Sequence, residues 1–319
     1  MINDNYLNNI INGDCRKYLD KLEPNSIDLF LSDIPYGINL DKWDVLHNNT
    51  NSALLGSSPA QYGKSGFKHR GKPINGWNEA DKKIGREYYE WCLTWTKKLF
   101  PIMKEGSSLF LFGARRTIHQ AILAMEDSGF LLRDLLVWKK QNAHHRAQKI
   151  SIVLERRGLQ QEAKAWEGWR LGNLAPMFEP IAWFFKPYKI TITDNLLKNQ
   201  LGAMNIGGTE RYVSDHNNIL DFWFDKNEKK YHEAQKPLSI TKYLIELTTI
   251  QGQTILDPFV GSGTTAVAAK MLQRNYIGFE IDQRYTRITK DRLQNLEENV
   301  SLNNVEKYNS QSTHQSSFL

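Results

Sequence analysis

Residues 253–282 read QTILDPFVGSGTTAVAAKMLQRNYIGFEID, and the alternation inside this stretch decides the fold. Thr254–Leu256 is a short buried-type strand, Thr264–Leu272 has helical spacing, and Tyr276–Phe279 is a second apolar run. Between the first run and the helix stands Gly261-Ser262-Gly263-Thr264-Thr265-Ala266, a match to the G-x-G-x-x-G/A pattern. Without side chains, Gly261 and Gly263 let the backbone turn tightly and approach a ligand. Glu280 closes the second run, where a carboxylate can accept hydrogen bonds from both hydroxyls of a ribose. The plainer alternative is a tight turn that only closes a βα unit. Strand, helix and acid together favour a nucleoside site.

Working outward, the same alternation recurs along the 319 residues. Ile10–Asn12, Ile27–Leu31, Ser108–Phe112, Leu131–Trp138 and Pro180–Phe185 read as strands. Cys15–Leu22, Tyr88–Phe100, Thr117–Ser128, Gln235–Ile250 and Arg284–Asn295 have helical spacing. This order predicts an α/β fold built on a doubly wound, mostly parallel sheet. Residues 41–86 are polar and glycine-rich and are expected to form a long functional loop. Residues 190–231 show no clear period, and residues 298–319 are expected to be a disordered polar tail.

The sequence carries 41 Lys and Arg against 35 Asp and Glu, a formal charge of +6. The excess is concentrated rather than spread. Lys139, Lys140, Arg146, Lys149, Arg156, Arg157 and Lys164 face only Glu155 and Glu162 within one stretch. Trp138, Trp166 and Trp169 lie in or beside it, a mixture of basic and aromatic residues suited to nucleic acid. A solvated charged face is the alternative. No apolar run approaches the length of a bilayer span, and the amino terminus lacks the pattern of a signal peptide. Two cysteines, Cys15 and Cys92, leave neither a disulfide framework nor a structural zinc site, so a cytoplasmic protein without metal is expected.

Two details narrow the ligand. In a dinucleotide site the strand usually runs straight into the glycines, whereas here Asp257-Pro258-Phe259-Val260 intervenes. A carboxylate beside the loop suits a ligand with an ammonium group better than a pyrophosphate. The second detail is Asp33-Ile34-Pro35-Tyr36, placed where the IDLFL strand ends. An exocyclic amine is a poor nucleophile because its lone pair is delocalised into the ring. Two acceptors aimed at its N–H bonds can draw the nitrogen towards tetrahedral geometry. The Asp33 carboxylate and the Ile34 carbonyl supply such a pair, Pro35 stiffens the turn, and Tyr36 offers a ring to stack on a base. A plain strand–turn with a buried tyrosine is the competing interpretation.

These residues resemble two family motifs. DPFVGSGTT resembles motif I of the S-adenosylmethionine-dependent methyltransferases, and the tetrapeptide resembles the DPPY signature of DNA amino-methyltransferases, with Ile34 in place of a proline. The tetrapeptide precedes the glycine loop, a circularly permuted order similar to that of the β class of these enzymes. Asn12-Gly13-Asp14, Trp138-Lys139, Phe178-Glu179-Pro180-Ile181 and His232-Glu233-Ala234-Gln235-Lys236-Pro237 resemble further blocks of that class.

The resemblance implies a Rossmann-like class I methyltransferase fold over residues 1–297 that binds S-adenosylmethionine. The implied cofactor-binding residues are Asp14, Cys15, Asp33, Lys236, Asp257, Phe259, Gly261, Ser262, Gly263, Thr264 and Glu280. Asp14 is expected at the adenine, Lys236 at the methionine carboxylate and Phe259 on the methionine chain. Ordinary solvation of Lys236 and plain core packing of Phe259 remain open. Asp33, Ile34, Pro35 and Tyr36 would carry transfer to adenine N6 in duplex DNA, with cytosine N4 as the alternative. A non-catalytic DNA-binding protein on the same fold is the reading from another class.

DNA contacts are expected from Lys139, Lys140, His144, Arg146, Lys149, Arg156 and Arg157 in a basic insertion over residues 141–172. Target recognition is expected in residues 190–231, and closure over the flipped base in residues 41–86. Arg115 and Arg116 are left between a phosphate contact and a helix cap. β-class relatives are often dimers, and a restriction endonuclease is an expected functional partner.

Overall fold

The computed structural model describes residues 5–36, 79–141, 148–171, 174–232 and 234–296. Among them, eight strands form one sheet in the order β1 (Asn9–Asn12), β10 (Asn275–Glu280), β9 (Thr254–Asp257), β2 (Ile27–Asp33), β3 (Met103–Phe112), β7 (Phe178–Phe185), β4 (Leu131–Lys139) and β8 (Ile219–Leu220). Neighbours run parallel except at β7, which is antiparallel to both β3 and β4. The IDLFL run is buried on both faces, as a central parallel strand requires. Leu29 and Leu31 pack on one side against Tyr243 and Leu244 of α7 (Leu238–Thr248). Alanines of α8 (Thr264–Met271) and Leu293 of α9 (283–296) join that layer. Phe30 faces the other way, against Cys92 and Trp95 of α1 (Glu79–Ile102), with α2 (Ile118–Asp127) beside it.

The chain winds in opposite directions from the two central strands. From β2 it crosses through α1 to β3, and from β9 through α8 to β10. The order therefore reverses between β9 and β2, and a crevice opens at their carboxyl ends. Asp33 and Asp257 terminate these two strands. Because β7 is antiparallel, its beginning lies at this same end: Asp33 pairs with Phe112, and Phe112 pairs with Ile181.

Several expected boundaries move. Cys15–Leu22 is not one helix but two 3-10 turns, Cys15–Lys17 and Leu19–Lys21. So short a segment cannot offset helix nucleation, and burial of Cys15, Leu19 and Leu22 holds the turns instead. The described part of helix α1 begins at Glu79, inside the expected 41–86 loop, of which residues 41–78 lie outside the described residues. It also runs past Pro101, where the last carbonyls are satisfied by Asn25 N to Pro101 O and Ser26 N to Ile102 O. The 298–319 tail likewise lies outside the described residues.

The basic insertion has structure of its own. A two-stranded ribbon, β5 (Gln148–Lys149) with β6 (Arg170–Leu171), carries α3 (Ile150–Arg156) and α4 (Gln160–Ala165). It leaves the sheet at the end of β4 and returns at the start of β7, both at the crevice end. Residues 190–231 divide. Their first part, α5 (Ile192–Asn199) and α6 (Ile206–Thr209), packs at the opposite end of the sheet. There Asn195 is buried beside Gly106 near the start of β3, and Gln253, just before β9, donates to Gln200 O. The later part returns to the crevice end through β8, whose Leu220 pairs with Trp138. The period of α5 escaped sequence reading because its buried face is an asparagine.

Candidate active site

The crevice contains a cavity of about 230 Å³ lined by the glycine loop, the ends of β2 and β9, and the segment before α7. Gly261 (φ +54°) and Gly263 (φ +87°) both adopt the left-handed region. Any Cβ on Gly263 would come within 2.3 Å of Thr289 Cγ2, whereas one on Gly261 would meet open space. Gly263 thus serves packing against α9, and Gly261 serves access to the cavity. Gly261 N donates to Glu280 Oε2 at 2.7 Å and Asp282 N donates to Oε1 at 2.8 Å, so Glu280 shapes the loop. Burial pushes the Glu280 carboxyl up to about 7.

Asp257 caps β9, accepting from Ser32 Oγ at 2.6 Å and Phe259 N at 3.1 Å. Ser32, a residue the sequence did not single out, thereby ties the two central strands across their point of divergence. Burial raises the Asp257 carboxyl to about 6. Phe259 and Trp91 of α1 line the cavity with ring centroids 5.7 Å apart. Trp91 was also missed, because an aromatic on an amphipathic helix carries no motif. Asp14 and Cys15 line the cavity as well. The Asp14 carboxylate is bound to Arg16, which holds it below the usual carboxylate range despite partial burial. Burial lifts the Cys15 thiol to about 12, which leaves it an inert small apolar group.

The tetrapeptide is fastened at each residue. Ile34 N donates to Phe112 O, Tyr88 Oη donates to Pro35 O at 2.7 Å, and Thr117 Oγ1 donates to Tyr36 O at 2.8 Å. These ties supply the rigidity that a second proline would otherwise give. Lys236 is buried and lines the cavity beside Asp33. Its Nζ donates to Asp33 Oδ2 at 2.5 Å and to Ala234 O at 3.0 Å, and lies 3.2 Å from Tyr36 Oη and 3.3 Å from Glu179 Oε2. Glu179 also pairs with Lys140 through Oε1 and accepts from Tyr36 Oη at 3.4 Å.

Burial raises the Asp33 carboxyl to about 6, with Lys236 opposing the rise and Glu179 adding to it. Burial likewise opposes charge on Glu179, yet Lys236 and Lys140 hold its carboxyl below the usual range. Tyr36 is itself buried, and its ring is not part of the cavity wall. Four buried side-chain polar atoms lack a partner among the described residues, and two of them, Asp33 Oδ1 and Thr264 Oγ1, belong to cavity-lining residues. Buried polar groups are ordinarily paired, so these two are candidates for contact with a ligand.

Of the basic residues, Lys149, Arg156 and Arg157 are exposed on the insertion, where Trp166 and Trp169 meet edge to face at 5.1 Å. Lys139 pairs with Asp221, and Lys140 is turned inward to Glu179. His144 and Arg146 lie outside the described residues. Arg115 sits 5.8 Å from the Phe178 ring centroid. No group of metal-ligating side chains gathers among the described residues, and none of their helices is long and apolar enough to cross a membrane.

A cavity at the reversal of a doubly wound sheet, with an acid-headed turn on the adjacent strand, defines a Rossmann-like methyltransferase. The family model described as DNA methylase matches residues 27–291, and the chain belongs to that N6/N4 family. It is 48% identical to the type II methyltransferase M.HindIII of Haemophilus influenzae over 305 residues, covering 93% of this chain and 98% of that protein. Identity to the type II methyltransferase M.HinfI of the same species is 28%, over 93% of this chain and 71% of the relative.

Solved structures share the fold. A complex of M1.HpyAVI with SAM has a TM-score of 0.52 at 19% identity, over 89% of this chain and 98% of that one. The cytosine-N4-specific PvuII DNA methyltransferase has a TM-score of 0.55 at 18% identity, over 89% and 85%.

Proposed function

We propose that this DNA methyltransferase transfers a methyl group from S-adenosylmethionine to adenine N6 at a short specific site in duplex DNA. The observation that carries the reading is Asp33 Oδ1, a buried acceptor without a partner among the described residues, on a residue that lines the cavity at the end of β2. The residues present fit the cofactor. Glu280 suits its ribose, Asp257 its ammonium group and Phe259 its methionine chain, while Gly261 lets its backbone approach. The Thr264 hydroxyl, unpartnered at the amino terminus of α8, suits its carboxylate. Bound S-adenosylmethionine supplies an electrophilic methyl group on a sulfonium centre.

Asp33 and the Ile34 carbonyl then act together on the target amine. By accepting its two N–H bonds they pull the nitrogen towards tetrahedral geometry and free its lone pair. No general base is required before transfer, because the amine becomes acidic once methylated. A base reaches this position only when rotated out of the duplex. The fold is common to N4- and N6-specific enzymes, so the choice of base rests on the tetrapeptide beginning with Asp rather than Ser.

The exposed basic and aromatic surface of the insertion supports the duplex, since it rises from the crevice end of the sheet. The name of the 48% identical relative, a type II methyltransferase, supports a restriction endonuclease as functional partner and leaves the homodimer to a mass measurement. The deciding experiment treats duplex DNA with tritiated S-adenosylmethionine and separates the nucleosides. Label in N6-methyladenine is expected; label in N4-methylcytosine, or none, overturns the assignment. Asp33→Ala should abolish transfer while cofactor affinity stays within a few-fold, and retained activity would refute the role of Asp33.

A further inference from the structure

We infer that Glu179 is a positioning residue for the methyl transfer: by sharing Lys236 with Asp33, it keeps Asp33 a strong hydrogen-bond acceptor whose Oδ1 has no partner among the described residues. The inference rests on Asp33 being that acceptor, and it assigns a function to a residue on β7, far from both motifs in sequence. The geometry is a closed set of charges. Lys236 reaches Asp33 Oδ2 at 2.5 Å and Glu179 Oε2 at 3.3 Å, and Lys140 closes the set on Glu179 Oε1. Two carboxylates meet two ammonium groups, and Tyr36 Oη lies between Lys236 and Glu179.

Lys236 does two things to Asp33. Binding Oδ2 fixes the rotation of the carboxylate, so Oδ1 is the oxygen left without a partner. It also draws electron density away, and a carboxylate owned entirely by one buried ammonium is a weak acceptor for a substrate. Glu179 relieves the second effect without losing the first, because the same ammonium is divided between two acids. Lys140 then prevents the second acid from leaving the cluster with excess negative charge. The groups facing Asp33 are Lys236 from the segment before α7, Glu179 from β7, and Tyr36 of its own turn. Those facing Glu179 are Lys236, Lys140 and Tyr36.

The test is the pH profile of single-turnover methylation for Glu179→Gln and Lys236→Met beside the parent. Gln keeps the size and an acceptor oxygen but removes the charge. Glu179→Gln should lower the turnover rate by about tenfold or more, with affinity for S-adenosylmethionine within twofold of the parent by calorimetry. Its acid limb should move to lower pH, because Lys236 then acts on Asp33 alone. Lys236→Met should move the limb to higher pH.

Glu179→Asp, which restores the charge, should recover part of the rate and return the limb towards the parental position. A Glu179→Gln protein with the parental rate and acid limb overturns the proposal. So does a rate loss accompanied only by a lower melting temperature, with the limb unmoved in both Glu179 variants. Should Asp33→Ala remain active, the acceptor assignment itself falls. An inactive Asp33→Ala with a silent Glu179→Gln refutes only the role of Glu179.

Discussion

Asp33, Asp257 and Glu280 line one cavity, and burial holds their carboxyls at about 6, 6 and 7. An acid whose folded pKa exceeds its unfolded value favours the folded state while protonated, and loses that advantage as pH rises through the folded pKa. These three groups therefore destabilise the ligand-free protein progressively between the ordinary carboxylate range and pH 7. Asp257→Asn, which still accepts from Ser32, should raise the melting temperature at pH 7.5 by roughly 2–4 °C. The same change should weaken S-adenosylmethionine binding, since the ammonium loses its counter-charge. Calorimetric melting at pH 5.5 and 7.5 checks the sign: the gain should shrink at the lower pH, and a variant that melts lower at pH 7.5 contradicts it.

At this scale Asp33 was readable because it heads its own tetrapeptide, and Glu280 because it closes the strand that follows the glycine loop and its helix. The place of Lys236 was not. Its acid partners, Asp33 and Glu179, lie in distant parts of the chain, so no local pattern announces the pairing.

At the scale of elements, the two glycines of the loop separate stability from binding. Gly263→Ala forces a Cβ to within 2.3 Å of Thr289 Cγ2 at a left-handed φ, and should cost about 1–3 kcal/mol of folding stability. Gly261→Ala meets no neighbour, and should cost about 1 kcal/mol from its backbone conformation alone. Its methyl group would narrow the approach to the cavity, so cofactor affinity should fall more than stability does. Melting curves with calorimetric titration distinguish the pair, and equal ratios of the two losses would show that both glycines do the same work.

Strand positions were legible because buried parallel strands are continuous apolar runs. Helix ends were less so. Glu79–Arg86 is a polar segment at the start of the described α1, and Pro101 stands one residue from its end, where neighbouring backbone donors satisfy the last carbonyls.

At the scale of the whole molecule, the sheet has a crevice end and a far end, and that polarity sorts the surface. The insertion emerges at the crevice end, while α5 and α6 pack at the far one. Arg156→Ala with Arg157→Ala should weaken DNA binding and reduce the slope of log affinity against log salt by up to about 2. Lys198→Glu on exposed α5 should leave that slope unchanged. Fluorescence anisotropy from 50 to 200 mM salt measures both, and a larger effect from Lys198 would reverse the assignment of faces.

The sequence by itself determined the alternating fold, the glycine loop and the acid-headed turn, because each is written in a contiguous stretch whose spacing has a local physical cause. Only the tertiary structure decided which residues meet: Lys236 with Asp33 and Glu179, Ser32 with Asp257, Trp91 with Phe259. It also decided which part of residues 190–231 stays near the chemistry. Those outcomes depend on the reversal of strand order and the antiparallel insertion of β7, which bring together chain segments that no local pattern connects.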